Sequence, residues 1–423
     1  MQVTIQPGTL RGEVAAIASK SHAHRLLICA ALSQEPSRVV CTETSEDIEA
    51  TADCLRGMGA AISREAQSYL VRPIVPGRTG VRDLPCRESG STLRFLLPVA
   101  CALGGQSRFF AQGRLPERPL SPLYEQLLAH GCRLGPQGET PFWCEGPLES
   151  GDYVLPGNVS SQFVSGLLFA LPLLLGDSTL RLTGEVESRP YIDLTLQALH
   201  EAGIRVEEQA EAFRIPGGQQ YRAPAECRAE GDWSNAAFWL CAGALGAQGV
   251  TCTNLRQDSL QGDRAVTNLL CQFGAEVTAQ SDSVSVRGGR LSGIEIDAGN
   301  IPDLVPVLAV VACAAWGDTR ISHAERLRIK ESDRLQSVYE VLSALGADME
   351  LRPDGFCIHG HGGLTGGRVR ANGDHRIAMM AAVAASICRE SVTVEGAEAV
   401  RKSYPGFFSD MKTLGARLCV REA

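Results

Sequence analysis

A short polar motif followed by an apolar run of helix length recurs six times, and this recurrence constrains the fold more than any other feature. The copies are "KSHAHRLLICAAL", "GSTLRFLLPVACAL", "SSQFVSGLLFALPLLL", "DWSNAAFWLCAGAL", "IPDLVPVLAVVACAAW" and "DHRIAMMAAVAASIC". Anchored at Lys20, Ser91, Ser161, Ser234, Asp303 and His375, they lie 71, 70, 73, 69 and 72 residues apart. A second series runs out of phase with the first. Amphipathic stretches end at Gly59, Gly131, Gly203, Gly274, Gly346 and Gly415, spaced 72, 72, 71, 72 and 69 residues, each where a left-handed helix cap is wanted. Two series with one period mean six structural units of about 70 residues, longer than the short solenoid repeats.

Strand-like segments lie between the two series: "RVVCTE", "SRFFAQG", "STLRLTG", "GVTCTNL", "TRISHAE" and "SVTVEG", rich in β-branched residues and closed by glycine or polar clusters. Each unit therefore holds an apolar helix, a strand, an amphipathic helix and further strands. This predicts an α/β protein of two lobes with three units each, the helices that are apolar all round lying inside. The N-terminal lobe is expected over 14–228 and the C-terminal lobe over 1–13 plus 229–423, with a hinge near Ala229 to Gly231. The opening strand "MQVTIQPG" precedes the first complete unit, so its assignment to the second lobe requires the chain to cross twice.

The polar residues of the apolar helices are concentrated at their N-termini, where free N–H groups and a partial positive charge attract phosphate or carboxylate. In the first motif, at about 100° per residue, Lys20, Ser21, His24 and Arg25 fall on one side, and Ala23, Leu26 and Ala30 on the other. The alternative is that Ser19 is an N-cap and the charges are solvated, but decoration has no reason to recur at six buried helix starts. Other clusters are ambiguous from pattern alone. "RLRIKESDRL", holding Lys330, Glu331 and Arg334, fits a cleft or a solvated helix face. Arg118 in "GRLPERPL" reads as a surface arginine of a proline-rich loop, and Lys402 in "VRKSYPGFF" stands beside a turn. "HGHGGLTGG" lacks the G-K-[ST] of a phosphate loop and reads as plain turns. His359 and His361 show no third clustered ligand, so no metal is expected.

Composition narrows the partners. A net charge of -8 disfavours a surface built for nucleic acid, yet leaves room for a local basic cleft. A six-unit ring clamped on nucleic acid would need positive charge along its lining and would lose affinity steeply with salt. None of the 15 cysteines forms a C-x-x-C pair, and most sit inside apolar runs, so they read as reduced core residues of a cytoplasmic chain. The longest apolar run, "FVSGLLFALPLLLG", is 14 residues, short of the roughly 20 that cross a bilayer, and "MQVTIQPG" has no signal-peptide pattern.

In order, the motifs "KSHAHR", "ESGSTLR", "ERP", "SSQF", "SRPY", "IPD", "IKESDR", "DHR" and "KSYPGFF" resemble those of the enolpyruvyl transferases over essentially the full length. The resemblance is to the branch acting on shikimate 3-phosphate. It implies two lobes of three βαβαββ units, an inverse α/β barrel with parallel buried helices, and an active site in the cleft between them. The implied reaction transfers the enolpyruvyl group of phosphoenolpyruvate to the 5-hydroxyl of shikimate 3-phosphate and releases phosphate, a step of aromatic amino-acid synthesis, with neither cofactor nor metal. By this resemblance Lys20, Ser21, Arg25, Ser160, Ser161, Gln162, Ser188, Asp303 and Lys330 hold shikimate 3-phosphate, with Tyr191 close by. Lys20, Gly90, Arg118, Gln162, Arg334, Arg376 and Lys402 hold phosphoenolpyruvate. Asp303 takes the hydroxyl proton and Glu331 serves the methylene carbon, Lys20 assisting. Lobe closure excludes water, the chain acts as a monomer without nucleic acid or membrane, and the family is the target of glyphosate.

Three positions depart from the pattern. Glu88 stands where the family has Asn, Ser91 replaces Thr and keeps the hydroxyl, and Arg326 replaces an Asn that contacts the shikimate moiety. A related branch acting on UDP-N-acetylglucosamine carries K-N near its start and a reactive Cys in the loop matching "GRLPERPLSP". Here Lys20 is followed by Ser21, and no Cys occurs from Ala102 to His130.

Overall fold

The computed structural model describes residues 1–75 and 80–422. Its six apolar helices span Lys20–Leu32, Gly90–Ala102, Ser161–Ala170, Trp233–Ala244, Val305–Ala314 and His375–Ala384. They coincide with the six sequence copies and are buried along almost their whole length, because side chains apolar on every side must be covered on every side. All six glycines of the second series have positive φ, between 75° and 114°, a backbone shape that a Cβ would strain.

The described strands form six four-stranded sheets of one design. In each, a parallel pair is extended by two antiparallel strands. Arg82–Arg87 runs parallel to Gln106–Ala111, for example, which pairs antiparallel with Phe142–Glu145, and that in turn with Arg133–Leu134. The helix Gly90–Ala102 makes the crossover between the parallel strands, as a parallel pair requires.

The chain divides into two compact units, Lys20–Ala229 and Met1–Ser19 with Glu230–Ala423. The first boundary falls at Lys20 rather than at residue 14, and strand pairing gives the reason. Gly12–Ala15 pairs in parallel with Val250–Thr253, so Val14 to Ser19 belong with the C-terminal residues. The unit Lys20–Ala229 takes a substitute from its own end: Glu226–Arg228 lies parallel to Ser37–Val40 and completes its first sheet. The strand Gln2–Ile5 sits between Val392–Glu395 and Leu418–Arg421, with Val3 and Ile5 buried in that unit's core.

No helix among the described residues is long and apolar enough to cross a membrane. The described cysteines are all unbridged thiols, and most are buried.

Candidate active site

In the unit Lys20–Ala229 the polar residues at three helix starts form two clusters. At the first helix, the Arg25 guanidinium is 2% exposed and lies 5.0 Å from the Phe95 ring. Its Nε donates to Thr195 Oγ1 at 2.9 Å, Nη1 to the Ser21 carbonyl at 2.5 Å and Nη2 to the Tyr191 carbonyl at 2.7 Å. Burial draws its pKa down to about 10, still far above neutrality, so it remains a cation. Arg25 thereby ties Ser21 to the turn that holds Ser188 and Tyr191, where Ser188 adopts φ 54° and its carbonyl accepts from the Tyr191 N–H. Lys20 pairs with Asp47 at 2.8 Å. On the side expected to be polar, His24 and Arg25 are buried as fully as Leu26 on the other, while Lys20 and Ser21 are half-buried. The Ser19 hydroxyl, just before this helix, donates to Gln261 Oε1 at 3.2 Å.

The second cluster joins the starts of Gly90–Ala102 and Ser161–Ala170. Ser89 caps the former and Ser160 the latter, accepting from the N–H of Thr92 and Gln162. Gln162 Oε1 accepts from Arg94 Nη1 at 2.8 Å, while its Nε2 donates to Ser91 Oγ at 2.9 Å. A Cβ on Gly90 would lie 2.7 Å from Arg118 Nη1 and 3.0 Å from Arg94 Nη1, so this glycine lets two guanidinium groups approach a helix N-terminus. Arg118 is 9% exposed, not the surface arginine its proline-rich loop suggests. Arg94 belongs to the quoted motif "ESGSTLR", yet sequence reasoning gave it no role. Glu88 lies against Gly113 at the edge of this region.

In the other unit, Arg334 organises the site. It is 1% exposed, so "IKESDR" begins no solvated helix face. Its Nη1 donates to Asp303 Oδ1 at 2.9 Å, Nη2 to Glu331 Oε2 at 2.6 Å, and Nε to Asp374 Oδ2 at 2.9 Å. Arg376 Nη2 donates to the other Asp303 oxygen at 3.0 Å, and Lys330 Nζ stands 4.0 Å from Asp303. Lys402 donates to the Gly373 carbonyl at 2.6 Å, beside the start of the helix that carries Arg376. The fold thus gathers Asp303, Lys330, Glu331, Arg334 and Arg376 about shared contacts.

The electrostatics follow from that gathering. Burial works to raise the Asp303 carboxyl, but Arg376, Lys330 and Arg334 overcome it and hold Asp303 well below the ordinary carboxylate range. Burial also draws Lys330 down to about 8, against the opposing pull of Asp303. Two acidic residues escaped the sequence reading. Asp374, wholly buried, caps its helix and grips Arg334; its only signal was its place in "DHR". Asp263 accepts from Ser234 Oγ, and burial followed by the Asp303 charge pushes it up to about 6; nothing in the sequence marks it.

The sequence model of the family described as EPSP synthase (3-phosphoshikimate 1-carboxyvinyltransferase) matches residues 5–411. The chain belongs to that family. A 3-phosphoshikimate 1-carboxyvinyltransferase of Clostridium kluyveri is 43% identical over 418 residues, covering 98% of each chain. The enzyme of that name in Clostridium perfringens strain 13 is 41% identical over 425 residues, 99% of each. Among solved structures, an EPSP synthase from Acinetobacter baumannii superposes with a TM-score of 0.83 at 24% identity, over 99% of this chain and all of that one. The enolpyruvyl transferase NikO of Streptomyces tendae gives 0.79 at 18% identity, over 99% and 98%. These two likenesses establish a shared fold, and family membership establishes an enzyme of this transferase class.

One expectation is corrected here. His359 does have further metal-ligating neighbours: Asp318 and Cys357 each place a ligand atom within 4.8 Å of it and of one another. Asp318 lies 41 residues away in sequence, and only the pairing of Trp316–Ser322 with Gly355–His361 brings it alongside.

Proposed function

We propose that this EPSP synthase family enzyme transfers the enolpyruvyl group of phosphoenolpyruvate to the 5-hydroxyl of shikimate 3-phosphate, releasing phosphate. The observation that carries the mechanistic reading is Asp303 held ionised between Arg334 and Arg376, with Glu331 on the same Arg334 guanidinium. Shikimate 3-phosphate is held by Lys20, Ser21, Arg25, Ser160, Ser161, Gln162, Ser188, Asp303 and Lys330. Phosphoenolpyruvate is held by Lys20, Gly90, Arg118, Gln162, Arg334, Arg376 and Lys402, through charge-assisted bonds to its phosphate and carboxylate.

In the free protein Asp303 is an acceptor but a weak base, because cations crowd it. An anionic substrate bound to Arg334 and Arg376 places negative charge beside Asp303 and raises its basicity as the 5-hydroxyl arrives. The hydroxyl gives its proton to Asp303 and attacks the substituted carbon of phosphoenolpyruvate. The methylene carbon takes a proton delivered by Glu331 with Lys20 assisting, giving a tetrahedral adduct. Phosphate leaves with the proton that Asp303 had taken, and the methyl carbon returns a proton to Glu331, which restores the double bond and both carboxyl groups. The chain acts as a monomer in the cytoplasm, on small molecules alone.

The test is phosphate release from the substrate pair. Purified protein without added metal turns over, and Asp303→Ala lowers kcat by at least about 100-fold, the usual contribution of an acid–base group. No turnover on this pair, with turnover on UDP-N-acetylglucosamine instead, overturns the reading.

A further inference from the structure

The sheet built from Glu295–Asp297, Trp316–Ser322, Gly355–His361 and Asp348–Arg352 carries a second cluster of chemically capable side chains, separate from the Asp303 cluster in its residues and its elements. Antiparallel register sets Asp318 and Asp348 on either side of His359, and Arg320 and Glu350 on either side of Cys357. Residues two apart on a strand share a face, so Cys357 and His359 point to the same side. There the His359 ring is flanked by carboxylates on both neighbouring strands, Nδ1 lying 2.7 Å from Asp318 Oδ1 and Nε2 3.8 Å from Glu350 Oε1. One ligand atom each from Asp318, Cys357 and His359 falls within a common 4.8 Å.

We propose that Asp318, Cys357 and His359 bind one divalent ion of the zinc class, with Glu350 or water completing the tetrahedron. The donor set decides the class. One sulfur, one imidazole nitrogen and one carboxylate oxygen suit zinc or cobalt and are foreign to calcium or magnesium, which take oxygen ligands. The spacing is compatible with tetrahedral coordination after small side-chain rotations. Ligands sit on paired strands, so their backbones need not be ordered on binding. With water as the fourth ligand and His359 bound through Nδ1, Glu350 stands 3.8 Å from the remaining ring nitrogen, a short side-chain rotation from the contact that orients metal-bound histidines. Access is open on the Asp318 side, whose side chain is 69% exposed, while Cys357 is only 9% exposed. Arg320 beside Cys357 opposes a cation, and Asp318, Asp348 and Glu350 outweigh it.

The experiment uses the full chain, stripped with a chelator and titrated with zinc in equilibrium dialysis, and with cobalt(II) in the spectrophotometer. One zinc binds per chain, and cobalt produces a thiolate-to-metal absorption band. Cys357→Ser removes the band, and His359→Gln weakens zinc binding about tenfold or more, while Asp318→Asn, an exposed and structurally mild change, weakens it as well. The double variant Cys271→Ser/Cys419→Ser, lacking the two exposed thiols, keeps both signals. Phosphate release by His359→Gln stays at the wild-type rate. Absence of binding, or binding that survives all three ligand substitutions, overturns the proposal.

Discussion

Lys330 shows how one residue's surroundings set a measurable pH response. Its ammonium is drawn down to about 8 from an ordinary 10.5, by burial first and with Asp303 pulling the other way. Between those two values the unfolded chain holds a proton that the folded chain lacks, so this residue's contribution to stability rises with pH across that window. Ligand binding responds in the opposite sense. A phosphate monoester is already dianionic above pH 7, its second pKa being about 6, so the ligand's charge is constant while Lys330 loses its own. We expect shikimate 3-phosphate affinity, measured by calorimetry, to fall by up to about tenfold per pH unit above pH 8, with net proton uptake on binding. Lys330→Arg keeps its charge and flattens the profile. A wild-type affinity constant from pH 8 to 10 would show that Lys330 does not face the phosphate. At this scale the sequence was partly readable. Motifs named Lys20, Arg25, Asp303 and Arg334, but two of the groups that tune them, Asp47 and Asp263, come from segments with no local pattern, as for Lys20 and Asp47 at 27 residues' separation, and Asp374 stood in "DHR" with nothing to show that it grips Arg334.

Among the elements, the helix His375–Ala384 joins folding to function most directly. Its N-cap Asp374 accepts from the Arg376 N–H at 2.9 Å, from Ser332 Oγ at 3.1 Å and from Arg334 Nε at 2.9 Å. One carboxylate therefore ends a helix and aims a site arginine. Asp374→Ala removes the cap and leaves Arg334 buried with less compensating charge, which costs about 3–5 kcal/mol for the broken buried pair. The cap of the neighbouring helix is the comparison. Asp333 accepts from the Gln336 N–H at 3.0 Å and is half-exposed, so Asp333→Ala costs about 1 kcal/mol. Urea unfolding of both variants checks the contrast; equal losses would mean that the Asp374–Arg334 pair contributes nothing beyond capping. Helix identity and helix starts were legible because periodicity and capping are local signals. The buried state of Arg118 was not, since a proline-rich loop says nothing about which helix start it folds over.

For the whole molecule, the strands next to the chain's two crossings decide how each unit closes its sheets. Six repeats follow from a periodic sequence, but which sheet each strand completes depends on pairing at long range, and this is why the first boundary falls at Lys20 and not at residue 14. Gln2–Ile5 fills the interior of a sheet whose other strands come from near the opposite end of the sequence. Its loss would leave Val392–Glu395 with one open edge and Leu418–Arg421 without its sheet partner, and uncover the surface on which Val3 and Ile5 pack, worth about 3–6 kcal/mol for two buried aliphatic side chains. Removing residues 1–6 should therefore raise amide exchange across Glu230–Ala423, most of all in those two flanking strands. Exchange within Lys20–Ala229, which completes its own sheets with Glu226–Arg228, should stay at its wild-type rates. Hydrogen exchange read by mass spectrometry separates the two units peptide by peptide. An equal rise in both would mean that the two units unfold as one cooperative block, so that losing the interior strand of one sheet is felt in every sheet and not in that unit alone.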